Sequence, residues 1–261
     1  MPSNIALAKI ARSLSRAHES HRAIAAPSET YPELTIDDAY GIQLLQVKAW
    51  VAAGAVVCGY KIGLTSKAMQ EQFGVSQPDF GHLFRSTLLP EDTKIDASAY
   101  LQPKVEPEIA LVLGRELKGP GVTVAQAVDA VDHVLPSLEL IDSRIRNWQF
   151  TIVDTIADNA AAAGVILGAK PTKLDDVDLG AVECRLQVDS LPVLTGLGSA
   201  AMGTPINALV WLANTLGARG VAFSPGDVIM PGSLTAAQPV RAGTVARADF
   251  KGLGSVTAYF A

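Results

Sequence analysis

The chain has 261 residues, of which 49% are hydrophobic and 18% are charged, so it can bury a large core without disulfides or a structural metal. Its formal net charge of −5 excludes a general electrostatic attraction to nucleic acid or to an anionic membrane surface. A small anionic substrate would therefore need a local anchor, such as a metal ion, a lysine or backbone N–H groups.

The two cysteines also restrict the class of protein. Cys58 and Cys184 lie far apart and form no CxxC or Cys/His cluster, which argues against a disulfide framework or a zinc site. The first residues lack a basic segment followed by an apolar run, and no stretch approaches the roughly 18 apolar residues of a membrane span. We therefore expect a cytoplasmic protein that does not associate with membranes.

The N-terminal region has helical periodicity. Apolar residues recur at helical spacing through residues 4–54, with a loop expected over 27–32. Thr35, followed three residues later by Asp38, resembles a capping box at the start of the second helix. We predict that residues 1–54 form a helical cap.

From residue 55 onward, short apolar runs alternate with Gly, Pro and Asp, which is typical of strands. Helices are predicted within this region at residues 124–131, 158–163 and 205–216, and the last has Thr204 as its N-cap. Turn residues punctuate the end of the chain and favour an antiparallel roll or barrel. The predicted fold class is α+β, with a mixed β-roll or barrel over residues 55–261 and one structural unit overall.

Two glutamates introduce one of these strands. Glu106 and Glu108 are two residues apart, so an extended chain places them on one face. Side by side they repel, and a divalent cation between them would relieve that repulsion. Alternating charged residues also mark the solvent face of many strands, so this pattern alone leaves both interpretations open.

A third carboxylate strengthens the metal hypothesis. Glu139 interrupts an apolar run that is typical of a buried strand, and charged residues are rarely buried without a partner. Three carboxylates would form an oxygen ligand set of the kind that Mg²⁺ or Mn²⁺ prefers. Asp142 is an alternative ligand, although it more plausibly caps a turn.

Lys61 lies in an apolar stretch where burial is expected, and desolvation lowers the pKa of a lysine enough for proton exchange near neutrality. It could equally extend to solvent or pair with an acidic residue. The polar segments that follow, around Thr65 and Ser66 and over residues 77–82, are expected to be loop. In the second of these, Asp79 and His82 are candidates for proton transfer or, alternatively, turn and surface residues.

Five motifs, in order along the chain, closely resemble one family. They cover residues 59–66, 77–81, 105–110, 138–144 and 153–159. The resemblance is to the 2-keto-4-pentenoate hydratase and 4-oxalocrotonate decarboxylase family of the fumarylacetoacetate hydrolase-like superfamily. It implies a β-roll with flanking helices.

The resemblance also implies roles for particular residues. Glu106, Glu108 and Glu139 would bind Mg²⁺ or Mn²⁺, which the 2-oxo acid substrate chelates, and Lys61 with Asp79 would move protons. For substrate binding we name a set of five polar residues, namely Thr65, Ser66, His82, Ser233 and Thr235. Ser233 and Thr235 could equally belong to a plain hairpin turn.

The resemblance favours a hydratase that converts 2-hydroxypenta-2,4-dienoate, or a close analogue, to a 4-hydroxy-2-oxo acid in the meta-cleavage degradation of aromatic compounds. Hydratases of the family carry Pro-Asp-Phe-Gly in residues 78–81, as this chain does, whereas the decarboxylases carry uncharged residues in place of Asp-Phe. The alternatives are a 4-oxalocrotonate decarboxylase, a C–C bond hydrolase and a non-catalytic partner subunit. The family further implies a homo-oligomer and association with a partner decarboxylase or a downstream aldolase.

One stretch departs from the family pattern. Residues 160–163 are all alanine where many relatives carry small hydroxyl residues, so the cavity wall is expected to be more apolar there. The same stretch resembles relatives that act on a longer dicarboxylic substrate. Arg144 and Arg146 are candidates for binding a distal carboxylate or are plain surface residues.

Overall fold

The computed structural model describes residues 3–67, 70–71 and 74–261. Its helices, in chain order, are α1 (Asn4–Ser20), α2 (Pro27–Thr30), α3 (Ile36–Ala52), α4 (Val124–Ala130), α5 (Ile152–Ala157) and α6 (Pro205–Gly217). Its strands are β1 (Val57–Gly63), β2 (Asp79–Phe84), β3 (Leu88–Pro90), β4 (Lys94–Ile95), β5 (Lys104–Leu113), β6 (Val131–Ile141), β7 (Ala162–Leu167), β8 (Glu183–Val188), β9 (Leu194–Leu197), β10 (Val228–Met230), β11 (Gln238–Pro239), β12 (Val245–Phe250) and β13 (Gly254–Phe260).

The two long N-terminal helices are confirmed. The capping box predicted at the start of α3 is present, since the Asp38 N–H donates to Thr35 Oγ1 and the Thr35 N–H donates to Asp38 Oδ2, both at 3.1 Å. The prediction of loop over residues 27–32 is wrong in part, because α2 begins there with Pro27 at a position where its missing N–H costs no hydrogen bond.

The strands form two sheets. The larger has the order β2-β1-β10-β5-β6-β7-β3, with β11 pairing to β5, and the smaller has the order β4-β13-β12-β8-β9. Most pairs are antiparallel, as the turn pattern predicts, but β1 pairs with β10, β3 with β7 and β4 with β13 in parallel. The α+β class is therefore confirmed, with a mixed rather than a purely antiparallel sheet.

A single apolar cluster joins the helices to both sheets. It contains Leu14 of α1, Ile42 of α3, Leu138 of β6 and Val256 of β13, each 1% exposed or less. The division into a cap over residues 1–54 and a catalytic body over residues 55–261 stays a prediction. Within the described residues, no helix is long and apolar enough to cross a membrane.

The helix predicted over residues 158–163 is wrong. Helix α5 ends at Ala157, and the next residues form a tight turn in which Asn159, Ala160 and Ala161 have φ values of 55°, 51° and 56°. Alanine favours a right-handed helix, but tertiary contacts override that preference here. The Asn159 side chain accepts the His82 N–H at 2.8 Å and donates to the His82 carbonyl at 3.0 Å, which fixes the turn against β2.

Candidate metal centre and active site

Strand register brings the three glutamates together. Glu106 lies directly opposite Glu139 in the antiparallel pair of β5 and β6, and Glu108 follows on the same face of β5. One carboxylate oxygen from each residue lies within 4.8 Å of the other two. Two adjacent strands thus build a cluster of three carboxylates.

Burial excludes a solvent-facing position for Glu108 and Glu139, while Glu106 is partly buried. Glu108 is 1% exposed and Glu139 is fully buried, and neither carboxylate oxygen of Glu139 accepts a hydrogen bond. Burial raises the pKa of Glu139 to about 7, even though Lys61 acts in the opposite direction. Burial and the two neighbouring carboxylates raise the pKa of Glu108. A cluster of acceptor-only oxygens with this unfavourable charge suits a hard divalent cation.

Glu108 has one direct hydrogen bond that fixes its orientation. The Gly232 N–H donates to Glu108 Oε2 at 2.8 Å. Gly232 has φ of 120°, and a Cβ there would lie 2.1 Å from Thr65 Oγ1, so only glycine fits between the two. Thr65 and the turn after β10 are therefore packed directly behind the carboxylate cluster.

Lys61 lies on β1 and is 5% exposed. Its Nζ donates to the carbonyl of Ala160 at 2.9 Å and lies 3.4 Å from Glu139 Oε1. Burial lowers the pKa of Lys61, but Glu139 and the other nearby carboxylates outweigh burial and hold it above its ordinary value. The alternative prediction, that Lys61 pairs with an acidic residue, is therefore confirmed, although the sequence does not show that Glu139 is the partner.

Asp79 begins β2 and lies opposite Gly63 in the register of β1 with β2. It is 2% exposed, and its Oδ1 has no hydrogen-bond partner. Burial raises its pKa, while Lys61 and the Gly63 N–H lower it. Asp79 therefore holds a proton more readily than an exposed aspartate does.

Lys61, Asp79 and Glu106 lie in the wall of a cavity of about 400 Å³, whereas Glu108 and Glu139 are not among its lining residues. Its wall includes the predicted residues Lys61, Thr65, Ser66, Asp79, Glu106, Ser233 and Thr235. Ser233 Oγ donates to the carbonyl of Thr235 at 2.8 Å, and Thr235 Oγ1 donates to the carbonyl of Ala236, so both hydroxyl protons stay within the turn. Their role in substrate binding stays a prediction.

His82 is not in this cavity. The segment predicted as loop becomes strand from Asp79 onward, and the odd separation of the two residues puts His82 on the opposite face of β2. There it packs against Tyr60, with 5.1 Å between ring centroids. Burial lowers the pKa of His82 to about 4, which keeps the ring neutral. His82 therefore packs away from the cavity in which the substrate is expected to bind.

Asp142 and Arg144 also have structural partners outside the carboxylate cluster. Asp142 accepts the N–H groups of Leu101 and Gln102 at 2.9 and 2.7 Å, as a capping residue does. Arg144 forms a buried ion pair with Asp158. Neither belongs to the carboxylate cluster or lines the cavity.

The sequence patterns did not indicate several residues of the cavity wall, among them a cation and an aromatic ring. Lys104 and Trp148 both line the cavity, and Lys104 Nζ lies 4.1 Å from the centre of the Trp148 ring. Burial lowers the pKa of Lys104, and Glu106 partly offsets this. The sequence does indicate the position of Lys104, because this residue precedes Glu106 by two positions and so shares its face of the strand.

The turn over residues 159–161 positions Lys61 through the carbonyl of Ala160, and Gly81 makes room for it. A Cβ at Gly81 would lie 2.3 Å from the carbonyl oxygen of Asn159. We expect Gly81→Ala to lower the free energy of unfolding by about 1–3 kcal/mol through overpacking. Gly41 lies inside α3, and the atom nearest to a Cβ at this position is Leu7 Cδ1, at 4.0 Å. The matched control Gly41→Ala should therefore raise the free energy of unfolding by about 0.5–1 kcal/mol. Urea denaturation measures both variants. A Gly81→Ala protein as stable as the wild type would show that the Asn159 carbonyl moves aside without cost.

Comparison with known proteins places this geometry in a family. The model of the fumarylacetoacetate (FAA) hydrolase C-terminal family matches residues 59–261. The chain belongs to this family, and the predicted fold type is confirmed.

Individual relatives are similar over nearly the whole chain. The 2-keto-4-pentenoate hydratase of Paraburkholderia xenovorans (strain LB400) is 41% identical, covering 96% of this chain and 93% of its own. The 2-oxo-hept-4-ene-1,7-dioate hydratase of Escherichia coli is 38% identical, covering 96% of each chain. The structure of 4-oxalocrotonate decarboxylase from Pseudomonas putida G7, complexed with magnesium and adipate, has a TM-score of 0.95 and 34% identity, covering 100% of this chain and 99% of its own.

Proposed function

We propose that this chain is a divalent-metal-dependent hydratase. It adds water to 2-hydroxypenta-2,4-dienoate, or to a close analogue, and yields a 4-hydroxy-2-oxo acid in the meta-cleavage degradation of aromatic compounds. The observation that carries the proposal is the largely buried cluster of Glu106, Glu108 and Glu139 beside Lys61 and Asp79. Hydratase-named relatives at about 40% identity over most of the chain support it.

The three glutamates would hold Mg²⁺ or Mn²⁺. The oxygens of Glu139, which accept no hydrogen bond, and the mutual repulsion of the cluster fit such an ion, and the magnesium complex of the similar decarboxylase is consistent with it. When bound, the cation would polarise the 2-oxo group of the substrate and offset the carboxylate charge that faces Lys61.

Lys61 and Asp79 supply the proton transfers. Conversion of the dienol to the 4-hydroxy-2-oxo acid adds a hydroxyl group to C4 and a proton to each of C3 and C5, one proton coming from water and one from the 2-hydroxyl group. Groups that hold and release protons must therefore face the substrate. Lys61 Nζ is held by the carbonyl of Ala160, and Asp79 keeps one oxygen unpaired at the cavity wall. Apolar residues including Ile62, Ile141 and Phe150 line the rest of the cavity and limit the access of bulk water.

Product analysis with purified protein and Mg²⁺ or Mn²⁺ tests this proposal. We expect metal-dependent loss of the dienol absorbance and formation of a 4-hydroxy-2-oxo acid, without release of carbon dioxide. Chelator should stop the reaction, and added metal should restore it. Loss of the dienol absorbance at the same rate in chelator would contradict a metal-dependent reaction.

A decarboxylase is the second candidate, because the similar decarboxylase structure matches the chain over its whole length. Asp79 and Phe80 in the cavity-side strand favour hydration instead, through the family resemblance. Stoichiometric carbon dioxide from 2-oxohex-3-enedioate would replace the hydratase proposal with this one. Two acid products from an acylpyruvate would point to a C–C bond hydrolase.

The remaining predictions concern assembly and location. Homo-oligomerisation, association with a partner decarboxylase or a downstream aldolase, and a cytoplasmic location all stay predictions from the sequence. The intact set of Lys61 and three glutamates argues against a non-catalytic partner subunit.

A further inference from the structure

Lys104 continues the row of the metal-site glutamates along β5. It lies two residues before Glu106 and four before Glu108, so the three side chains share one face of the strand. Its cross-strand partner is Ile141, which also lines the cavity. A two-residue step along a strand is about 6.6–6.8 Å. Lys104 is therefore one such step from the carboxylate cluster, on the cavity side.

The surroundings of Lys104 leave its charge available to a ligand. Its Nζ lies over the face of Trp148, which holds the ammonium group by cation–π attraction. Among the described residues, no acidic group forms an ion pair with Lys104, whereas Lys61 is engaged by Glu139. These two lysines are the cationic side chains of the described cavity wall. Within this cavity wall, Lys104 is therefore the cation left for a second negative group on a ligand.

Lys104 and Trp148 also line an adjoining groove of about 570 Å³, whose wall includes Gln102, Pro239 and Arg241. The two side chains therefore lie where the cavity and the groove adjoin. A 2-oxo acid anchored at the glutamates and long enough to reach this end of the cavity would therefore meet Lys104.

We propose that Lys104, held over Trp148, is a second anion subsite that selects 2-oxo acids carrying a distal carboxylate. This deepens and rests on the proposed function, in which the glutamate cluster anchors the 2-oxo acid end through a cation. Lys104 then favours a dicarboxylic analogue over 2-hydroxypenta-2,4-dienoate itself, which has no distal carboxylate. It does not take part in the reaction at C4.

Binding of two unreactive acids tests the subsite. The probes are 2-oxohexanoate and 2-oxohexanedioate, which share the 2-oxo acid end and differ at the far end. Calorimetry in the presence of Mn²⁺ measures both on the wild type, on Lys104→Met and on the control Lys48→Met, an exposed lysine of α3 that does not line the cavity. Methionine keeps an unbranched stem against Trp148 and removes the charge.

We expect the wild type to bind the diacid about tenfold or more tightly than the monoacid, as one charge-assisted hydrogen bond provides. Lys104→Met should lose this preference and bind the monoacid within about twofold of the wild type, while Lys48→Met should match the wild type for both acids.

Three results would overturn the proposal. A wild type without preference for the diacid would show that no distal subsite exists. An equal loss of affinity for both acids in Lys104→Met would place the lysine at the shared 2-oxo acid end instead. Failure of both acids to bind the wild type in Mn²⁺ would count against the metal-anchored site itself, and so against the proposed function and this subsite together.

Discussion

Glu108→Gln is expected to remove turnover and to weaken metal binding while leaving the metal-free protein at least as stable as the wild type. Glutamine removes one of three negative charges that would hold the cation, so kcat should fall by about 10²–10³-fold. Mn²⁺ affinity should fall by about 10–100-fold or more. Steady-state kinetics and Mn²⁺ calorimetry measure the two effects.

Stability separates this outcome from simple misfolding. In Glu108→Gln the side-chain carbonyl of the new glutamine can still accept the Gly232 N–H, which is donated at 2.8 Å in the wild type. The like charges of Glu106 and Glu139 no longer meet a third carboxylate, so the free energy of unfolding in chelator should stay equal or rise by about 1 kcal/mol. Glu116→Gln, at an exposed position, is the control for a glutamate outside the site. A chelator-treated Glu108→Gln that unfolds more readily than the wild type would show that the carboxylate stabilises the fold directly.

Lys61→Met should also remove turnover, but with the opposite effect on the metal. Loss of a positioned proton-transfer group costs about 10²–10⁴-fold in rate. Lys61 Nζ lies 3.4 Å from Glu139 Oε1, and removing its charge makes the carboxylate cluster more attractive to a cation. We therefore expect Mn²⁺ to bind Lys61→Met at least as tightly as it binds the wild type.

Without metal, Lys61→Met should be less stable than the wild type. Breaking a buried ion pair by removing one partner costs about 3–5 kcal/mol, because the remaining charge is left uncompensated. Saturating Mn²⁺ should recover most of that stability, since the ion would face the same carboxylates. Urea denaturation with chelator and with Mn²⁺ measures this, and Lys118→Met, at an exposed position, is the control. Equal activity in Lys61→Met and the wild type would contradict a role for this lysine in proton transfer.

The sequence was sufficient for the parts of the site that depend on local spacing. The two-residue separation of Glu106 and Glu108 defines their common face, and the apolar run around Glu139 predicts its burial. Lys61 was likewise expected to be buried. The long helices followed from periodicity and from the capping box at Thr35.

Long-range pairing could not be read from the same patterns. Nothing local shows that β10 inserts between β1 and β5, although this pairing places Gly232 against Glu108. The raised pKa of Lys61 depends on acids from β2, β5 and β6, which only the assembled sheet brings together. The side of β2 that His82 occupies required knowing that its segment is a strand.

The turn over residues 159–161 was mispredicted for a different physical reason. A run of alanines predicts helix, yet Asn159, Ala160 and Ala161 adopt left-handed φ values. Such backbone conformations persist where surrounding contacts determine them, and they often occur at functional sites. Here the contacts are with β2 through Asn159 and with Lys61 through the carbonyl of Ala160.

The most direct test is Mn²⁺ binding to purified, chelator-treated protein, measured by calorimetry for the wild type and for Glu139→Gln. Glu139 is fully buried, and neither of its oxygens accepts a hydrogen bond, so a cation would complete its contacts beside the ion pair of Oε1 with Lys61. We predict that the wild type binds a single Mn²⁺ ion per chain and that Glu139→Gln, though folded, loses this binding. Absence of binding to the wild type at millimolar Mn²⁺, or unchanged binding to Glu139→Gln, would contradict the claim that the three glutamates form a metal centre.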